Sequence, residues 1–193
     1  MARDDREREI FRAALGLFAR YGYKKTAIED VARETGMSKG NIYFYVRDKR
    51  DLYEKAVGNA LIEWRDRVAG AVAREKDPVK KFRVMAMQSF EYLSRQPSLR
   101  KILEEDRGIF TLTPGEDRFR EINRGAMEII AGILTEGIRA KKFRRVDVPH
   151  ATELLFSIYI MFLIKAYVKS EGSSVAKMFE EGLEIMLRGL LRT

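Results

Sequence analysis

Apolar residues return every three to four positions along almost the whole of this chain, and that interval is the strongest constraint on its fold. Side chains spaced this way share one face of a helix of about 3.6 residues per turn, whereas a half-buried strand needs strict alternation. Ile10, Ala14, Leu17, Phe18 and Tyr21 define such a face over residues 4–21. Leu52, Ala56, Val57, Ala60, Leu61, Trp64 and Val68 define a second, and Val79, Phe82, Met85, Ala86, Ser89, Phe90 and Leu93 a third. Ile122, Ala126, Ile129, Ile130 and Ile133 continue the pattern. Only 4 prolines punctuate 193 residues, so little breaks these runs. The expected fold class is all-α, with about nine helices.

Start and stop signals divide the runs. Gly22 is the expected stop of the first helix, because glycine enters the left-handed conformation without penalty. Thr26 and Glu29 have the spacing of a capping box, followed by the apolar Ile28, Val31 and Ala32 and a stop at Gly36. Ser38 can cap a third helix containing Ile42, Tyr43 and Val46, and Asp48 can cap a fourth. Asp77-Pro78 opens another helix, with proline in a tolerated first-turn position. Residues 96–116 are broken by Pro97, Gly108, Pro114 and Gly115. Asp147 or Val148-Pro149 opens a helix that is apolar almost all round from Leu154 to Ile164, and a last helix is expected from about Ser174 to Leu191.

Charge and composition exclude several classes. The formal net charge is +8, and half of it falls in residues 1–50, which hold 12 Lys/Arg against 8 Asp/Glu. An excess concentrated at one end favours a polyanion, nucleic acid before anionic membrane. With no Cys there is no disulfide, thiolate metal site or Cys nucleophile, and a reducing cytoplasm is the expected location. The densely charged N-terminus lacks the apolar core of a signal peptide. Leu154–Val168 is shorter than the roughly 20 residues of a membrane span and contains Lys165, so a buried helix is expected there. One His, no Gly-rich phosphate loop and no H-E-x-x-H pattern argue against an enzyme. No cofactor or metal is expected. His150, the one His, follows Pro149 near a helix start, where a surface or capping role is expected.

The informative segment is a pair of short helices, Ala27–Thr35 and Ser38–Tyr45, joined by a turn at Gly36. Their lengths and polarity are those of a helix-turn-helix. Val31 and Ile42 can fix the angle between them, leaving the start of the second helix, Ser38, Lys39, Gly40 and Asn41, to meet base edges in a major groove. The run Thr26–Leu52, with Gly40, Ile42-Tyr43, Tyr45, Lys49 and Leu52 at these spacings, resembles the DNA-binding domain of the TetR family of bacterial regulators. Ala13-Ala14, Phe18 and Tyr21-Gly22-Tyr23 match that family's first helix, so the specific likeness covers about residues 8–57. Many members carry Phe where Val46 stands, an exchange of one core residue for another.

The resemblance implies roles for eight positions. Thr26 would bond a phosphate or cap the helix beside it. Lys39 and Asn41 would read bases, beside the Ser38 cap and with Gly40 allowing close approach. Tyr43 would lie against a thymine methyl or a phosphate, its alternative being a place in the core. Tyr45 and Lys49 would hold the DNA backbone. Lys24 and Lys25 would add general attraction, while Arg3, Arg6 and Arg8 are interleaved with acids and read as a solvated face.

The resemblance also implies a division into residues 1–50, which bind DNA, and residues 51–193, a helical domain that dimerises and binds a small-molecule effector. The apolar excess of the last two helices independently points to a homodimer, with Leu155, Tyr159, Met178, Phe179, Met186 and Leu190 as candidate interface residues. Such a dimer would favour a roughly palindromic operator. Trp64, Met85, Phe90, Phe110, Met127, Phe156, Tyr159 and Phe162 are candidates to line an apolar effector cavity, the alternative for each being ordinary core. The family suggests repression; a DNA-binding regulator controlled by a protein partner, without a ligand, is the competing reading.

Overall fold

The computed structural model describes residues 3–109, 117–165 and 173–192. Among them the chain forms nine α-helices, one short 3-10 turn at Arg107–Ile109 and a single isolated backbone bridge between Phe143 and Leu191. The helices are α1 (Arg3–Lys25), α2 (Ile28–Glu34), α3 (Lys39–Tyr43), α4 (Lys49–Ala73), α5 (Pro78–Ser94), α6 (Pro97–Glu105), α7 (Arg120–Arg139), α8 (Val148–Leu163) and α9 (Ser173–Leu190). The all-α expectation is met. No helix among the described residues is long and apolar enough to cross a membrane.

The chain separates into two compact units, residues 1–63 with 96–102 and residues 64–95 with 103–193. In the first, α1 contributes Ile10, Ala14 and Phe18, α2 contributes Val31 and Ala32, and α3 contributes Ile42, all buried. Leu52, Ala56 and Val57 of α4 complete this core. The Phe18 ring meets Tyr53 edge-on at 5.1 Å and stacks on Tyr23 at 5.9 Å. Burial of such side chains contributes about 1.5–3 kcal/mol each, which is what holds helices this short.

The turn between α2 and α3 is a Schellman motif. Gly36 sits at φ 63°, Met37 N–H donates to the Ala32 carbonyl at 2.8 Å, and Gly36 N–H donates to Arg33 at 3.3 Å. Ser38 then caps α3 by accepting from Asn41 N–H at 3.2 Å, and Asp48 caps α4 through Asp51 N–H at 2.8 Å.

Three boundaries differ from the sequence reading. Gly22 does break the first helix, at φ 79°, yet helical structure resumes across the kink to Lys25. Thr26 does not cap α2: its hydroxyl donates to the Leu17 and Gly22 carbonyls at 3.2 and 3.0 Å, which buries it. Ala27 takes the cap position, and Asp30, not Glu29, reaches back to the Ala27 N–H at 2.8 Å. Finally, α3 is five residues long and ends at Tyr43, two residues short of the expected Tyr45.

In the second unit α5 and α8 pack on α7, and α9 packs on α5. Phe82, Leu93, Ile130, Ile133, Leu134, Leu163, Leu183 and Leu187 fill the interior. Asp77 caps α5 and Asp147 caps α8, both with proline in the first turn; of the two openings the sequence allows for α8, Asp147 is the cap. After α7 the chain reverses with Lys141 left-handed at φ 57°. Phe143 then folds back onto Gly137, where any larger residue would overlap its ring.

Candidate nucleic-acid interface

The short helix α3 buries Ile42 and, just after it, Val46. The other positions of this turn point outward: Ser38, Lys39, Gly40 and Asn41 are exposed, Tyr43 is 45% exposed and Phe44 is 79% exposed. Lys39 and Glu29 form an ion pair at 2.5 Å across the α2–α3 turn, and the Lys39 ammonium lies 5.9 Å from the centre of the Tyr43 ring. The hydrogen bond from Lys39 holds the Glu29 carboxyl below the usual carboxylate range and, reciprocally, raises Lys39 above the usual lysine range. Both groups lie in solvent, so an incoming anion can take over the ammonium by exchange of partners at little cost.

Gly40 is the least expected residue of this surface. Its φ lies outside the left-handed range, and a Cβ added there would meet only the Ser38 hydroxyl, at 3.8 Å. The protein itself therefore has no need of glycine, which costs a helix roughly 0.5–1 kcal/mol relative to alanine. A backbone left bare on an exposed turn suits contact with another molecule at close range.

Around α3 the cations are held in place by uncharged or opposite partners. Lys49 Nζ donates to the Lys24 carbonyl at 3.2 Å and lies 4.6 Å over the Tyr23 ring, at the end of α1. Lys55 Nζ donates to the Tyr45 carbonyl at 2.6 Å and pairs with Asp51 at 3.2 Å. Asp51 also accepts from Arg47 N–H at 2.8 Å. Its burial works to raise the carboxyl, but the bonds from Arg47 and Lys55 prevail and hold it below the ordinary aspartate range. Lys24, Lys25, Arg47 and Arg50 are exposed on the same unit.

The structure thus places Ser38, Lys39, Gly40, Asn41 and Tyr43 together on one outward turn, with half-buried Tyr45 and Lys49 beside it. Thr26 is the exception: buried, with its hydroxyl committed to α1, it has no side-chain surface to offer a phosphate. Phe44 was missed. It stands two residues after Ile42 and two before Val46, both buried, and that helical spacing turns it outward.

In the second unit the candidate cavity residues form two ring clusters. Trp64 lies parallel to Tyr92 and near Tyr159, both at 6.3 Å, and its indole N–H donates to the Ser89 carbonyl at 3.1 Å. Phe179 lies 4.0 Å from Phe90 and 5.3 Å from Phe162. Met85, Met127 and Phe156 are half-buried, and Phe110 falls outside the described residues. Of the candidate interface residues, Leu155, Phe179 and Leu190 are buried within the chain and have little left to give a second copy. Tyr159, Met178 and Met186 are half-buried; among the described side chains of α8 and α9 the large apolar ones exposed are Leu154 (62%), Met161 (46%) and Ile185 (72%).

Residues 10–56 match the model of the bacterial regulatory proteins, tetR family. The fatty acid metabolism regulator protein of Bacillus subtilis is 21% identical over 183 residues, covering 94% of each chain. The transcriptional repressor KstR2 of Rhodococcus jostii is 22% identical over 186 residues, covering 96% of this chain and 91% of the relative. The crystal structure of FadR from Bacillus subtilis in complex with stearoyl-CoA superposes with a TM-score of 0.77 at 20% identity, covering 94% of this chain and 97% of that one. At that identity the likeness is one of fold.

Proposed function

We propose that this chain, a member of the TetR family of bacterial transcriptional regulators, is a repressor that binds a roughly palindromic operator as a homodimer and is released by a small apolar effector. The observation that carries the reading is the outward turn of α3, where a glycine the protein does not need stands between Lys39 and Asn41. Ser38, Lys39, Asn41 and Tyr43 would read the major groove, while Tyr45, Lys49, Lys24 and Lys25 would hold phosphates. Residues 1–50 would supply DNA binding, and residues 51–193 the effector site and the dimer. The protein would work as a binding protein and not an enzyme, in the cytoplasm where the DNA is.

Support for the dimer comes from Leu154, Met161 and Ile185, apolar side chains left in solvent on α8 and α9. Two recognition helices in such a dimer would stand about 34–36 Å apart, one turn of duplex. Support for an apolar effector comes from the ring-rich interior of the second unit and from relatives named for fatty acid metabolism, one of them bound to stearoyl-CoA. A long-chain acyl thioester is therefore the first ligand to try. Helix α4 contributes residues to both units, so a ligand that displaces it would alter operator affinity by a coupling free energy of roughly 1–3 kcal/mol.

Fluorescence anisotropy with the gene's upstream intergenic DNA tests the first half of this reading. Binding should exceed that to random duplex, weaken steeply with salt, and collapse in Lys39→Ala and Tyr43→Ala. Weak binding that ignores both substitutions would remove α3 from the interface. Stearoyl-CoA and shorter acyl-CoAs are then titrated into the complex; release by none of them would favour control by a protein partner.

A further inference from the structure

The second unit carries a concentration of positive charge that DNA reading by α3 leaves unused. Arg139, Lys141, Lys142, Arg144 and Arg145 fall within seven residues at the end of α7 and the turn after it, and Arg192 joins them from beyond α9. Removing these six cations would turn the excess of positive charge over residues 51–193 into a deficit.

The turn is rigidly built. Lys142 and Phe143 N–H both donate to the Gly137 carbonyl, at 2.9 and 3.0 Å. Arg144 N–H donates to Leu190 at 2.8 Å and Arg192 N–H to Lys142 at 3.0 Å, tying the turn to the end of α9. Arg144 Nε adds a bond to the Gly189 carbonyl at 2.5 Å. Phe143, buried against Gly137, anchors the whole from below. Five of the cations, Arg139, Lys141, Arg144, Arg145 and Arg192, line a cleft of about 630 Å³ with no carboxylate side chain among the described residues of its wall. That volume lies within the range of small-ligand sites.

Among the described residues, the nearby acids Glu136, Asp147 and Asp77 are engaged elsewhere. Glu136 pairs with Lys81 at 2.6 Å, and Asp147 accepts from His150 N–H at 2.9 Å while capping α8. Asp77, which caps α5, feels Lys142 only at longer range. Cations carried side by side on a turn whose backbone is held in place repel one another, and a multivalent anion would relieve that repulsion without rebuilding the turn. Arginine forks over a small cleft fit phosphate oxygens.

We propose that this cleft binds a polyphosphate-bearing small anion of about mononucleotide size, separately from the DNA-reading turn. Tripolyphosphate, ATP and uncharged adenosine are titrated calorimetrically into the full-length protein at low and physiological salt. Saturable, salt-sensitive binding of the two phosphates, with none of adenosine, is expected. ATP tighter than tripolyphosphate would show that the nucleoside is also held; equal affinities would assign recognition to the phosphates alone.

The variant Lys141→Gly/Arg145→Ala/Arg192→Ala should weaken both at least tenfold. It keeps the fold, because glycine suits the left-handed position and the backbone bonds of the turn remain; a thermal melt checks this. Arg145→Lys/Arg192→Lys preserves charge and should lose less. Lys39→Ala in α3 should leave phosphate binding unchanged. The proposal is overturned if neither phosphate saturates, if the triple variant binds as the parent does, or if Lys39→Ala abolishes binding.

Discussion

Replacing Gly40 by alanine should make the protein more stable and a worse DNA binder at once. The added methyl has ordinary room in the protein, 3.8 Å from the Ser38 hydroxyl, and the position lies outside the left-handed range. Alanine lowers the entropy of the unfolded chain and favours the helix, by at most about 1 kcal/mol in a helix interior and nearer ~0.5 kcal/mol in this first turn. For a chain of this size that corresponds to a rise in Tm of about 1–2 °C.

If α3 reads the major groove as proposed, the same methyl would face that groove. If it holds α3 off by a fraction of an ångström, Lys39 and Asn41 lose base contacts worth roughly 1–3 kcal/mol for each good pair. A loss of about 2 kcal/mol is close to a 30-fold weaker operator affinity. Thermal melts and operator anisotropy on the same preparation measure both quantities. Opposite signs are the signature. A melt that falls would mean the turn is less open than its geometry, while unchanged affinity would show that the bare backbone at Gly40 is not where DNA comes closest.

Three other substitutions test the framework. Gly137→Ala places a methyl against the Phe143 ring and should destabilise by about 1–3 kcal/mol in urea titration; Phe143→Leu in the same chain should restore part of that loss if the overlap is the cause. Among the described residues the Thr152 hydroxyl is the one buried side-chain polar atom without a hydrogen-bond partner, so Thr152→Val should stabilise by about 1 kcal/mol. A lower Tm in that variant would reveal a bonded water or ligand. Asp51 is depressed in the folded state, so its stabilisation is complete above the unfolded value of about 3.9 and disappears as pH falls through the lower folded value. Asp51→Asn should therefore cost about 1–2 kcal/mol at pH 7 and flatten the acid side of the stability curve; a parallel offset at every pH would contradict the assignment.

The helices were readable because their apolar intervals and caps are local properties. Ser38 and Asp48 cap the helices the sequence assigns to them, and Asp77 and Asp147 cap helices whose starts the sequence places at or beside them. Thr26 shows where local reading stops. Its spacing to Glu29 fits a capping box, but the choice between that cap and the carbonyls of α1 depends on a fold-back across Gly22, which spacing does not contain. The interface candidates of α8 and α9 met the same limit. Both helices are apolar on more than one side, and only the packing of α5, α7 and α9 determines that Leu155 and Phe179 go inside while Leu154 and Ile185 stay out. The sequence reading assigns no role to the basic turn after α7, because the cleft it forms requires Arg192 to be brought to it from nearly fifty residues away.

If the exposed ring of Phe44 meets DNA beside α3, it would make the proposed complex sensitive to temperature as well as to ions. Contacts of Lys24, Lys25 and Lys49 with phosphates would fade as salt displaces them. An aromatic ring transferred from water to a groove wall does not depend on counterions. Its release of hydrating water lowers the heat capacity, by somewhat under ~0.1 kcal/mol/K for the area a phenylalanine exposes. Operator affinity should thus keep a residue of strength in concentrated salt and pass through an optimum on warming, and both traits should diminish together when Phe44, 79% exposed in the free protein, is shortened to alanine.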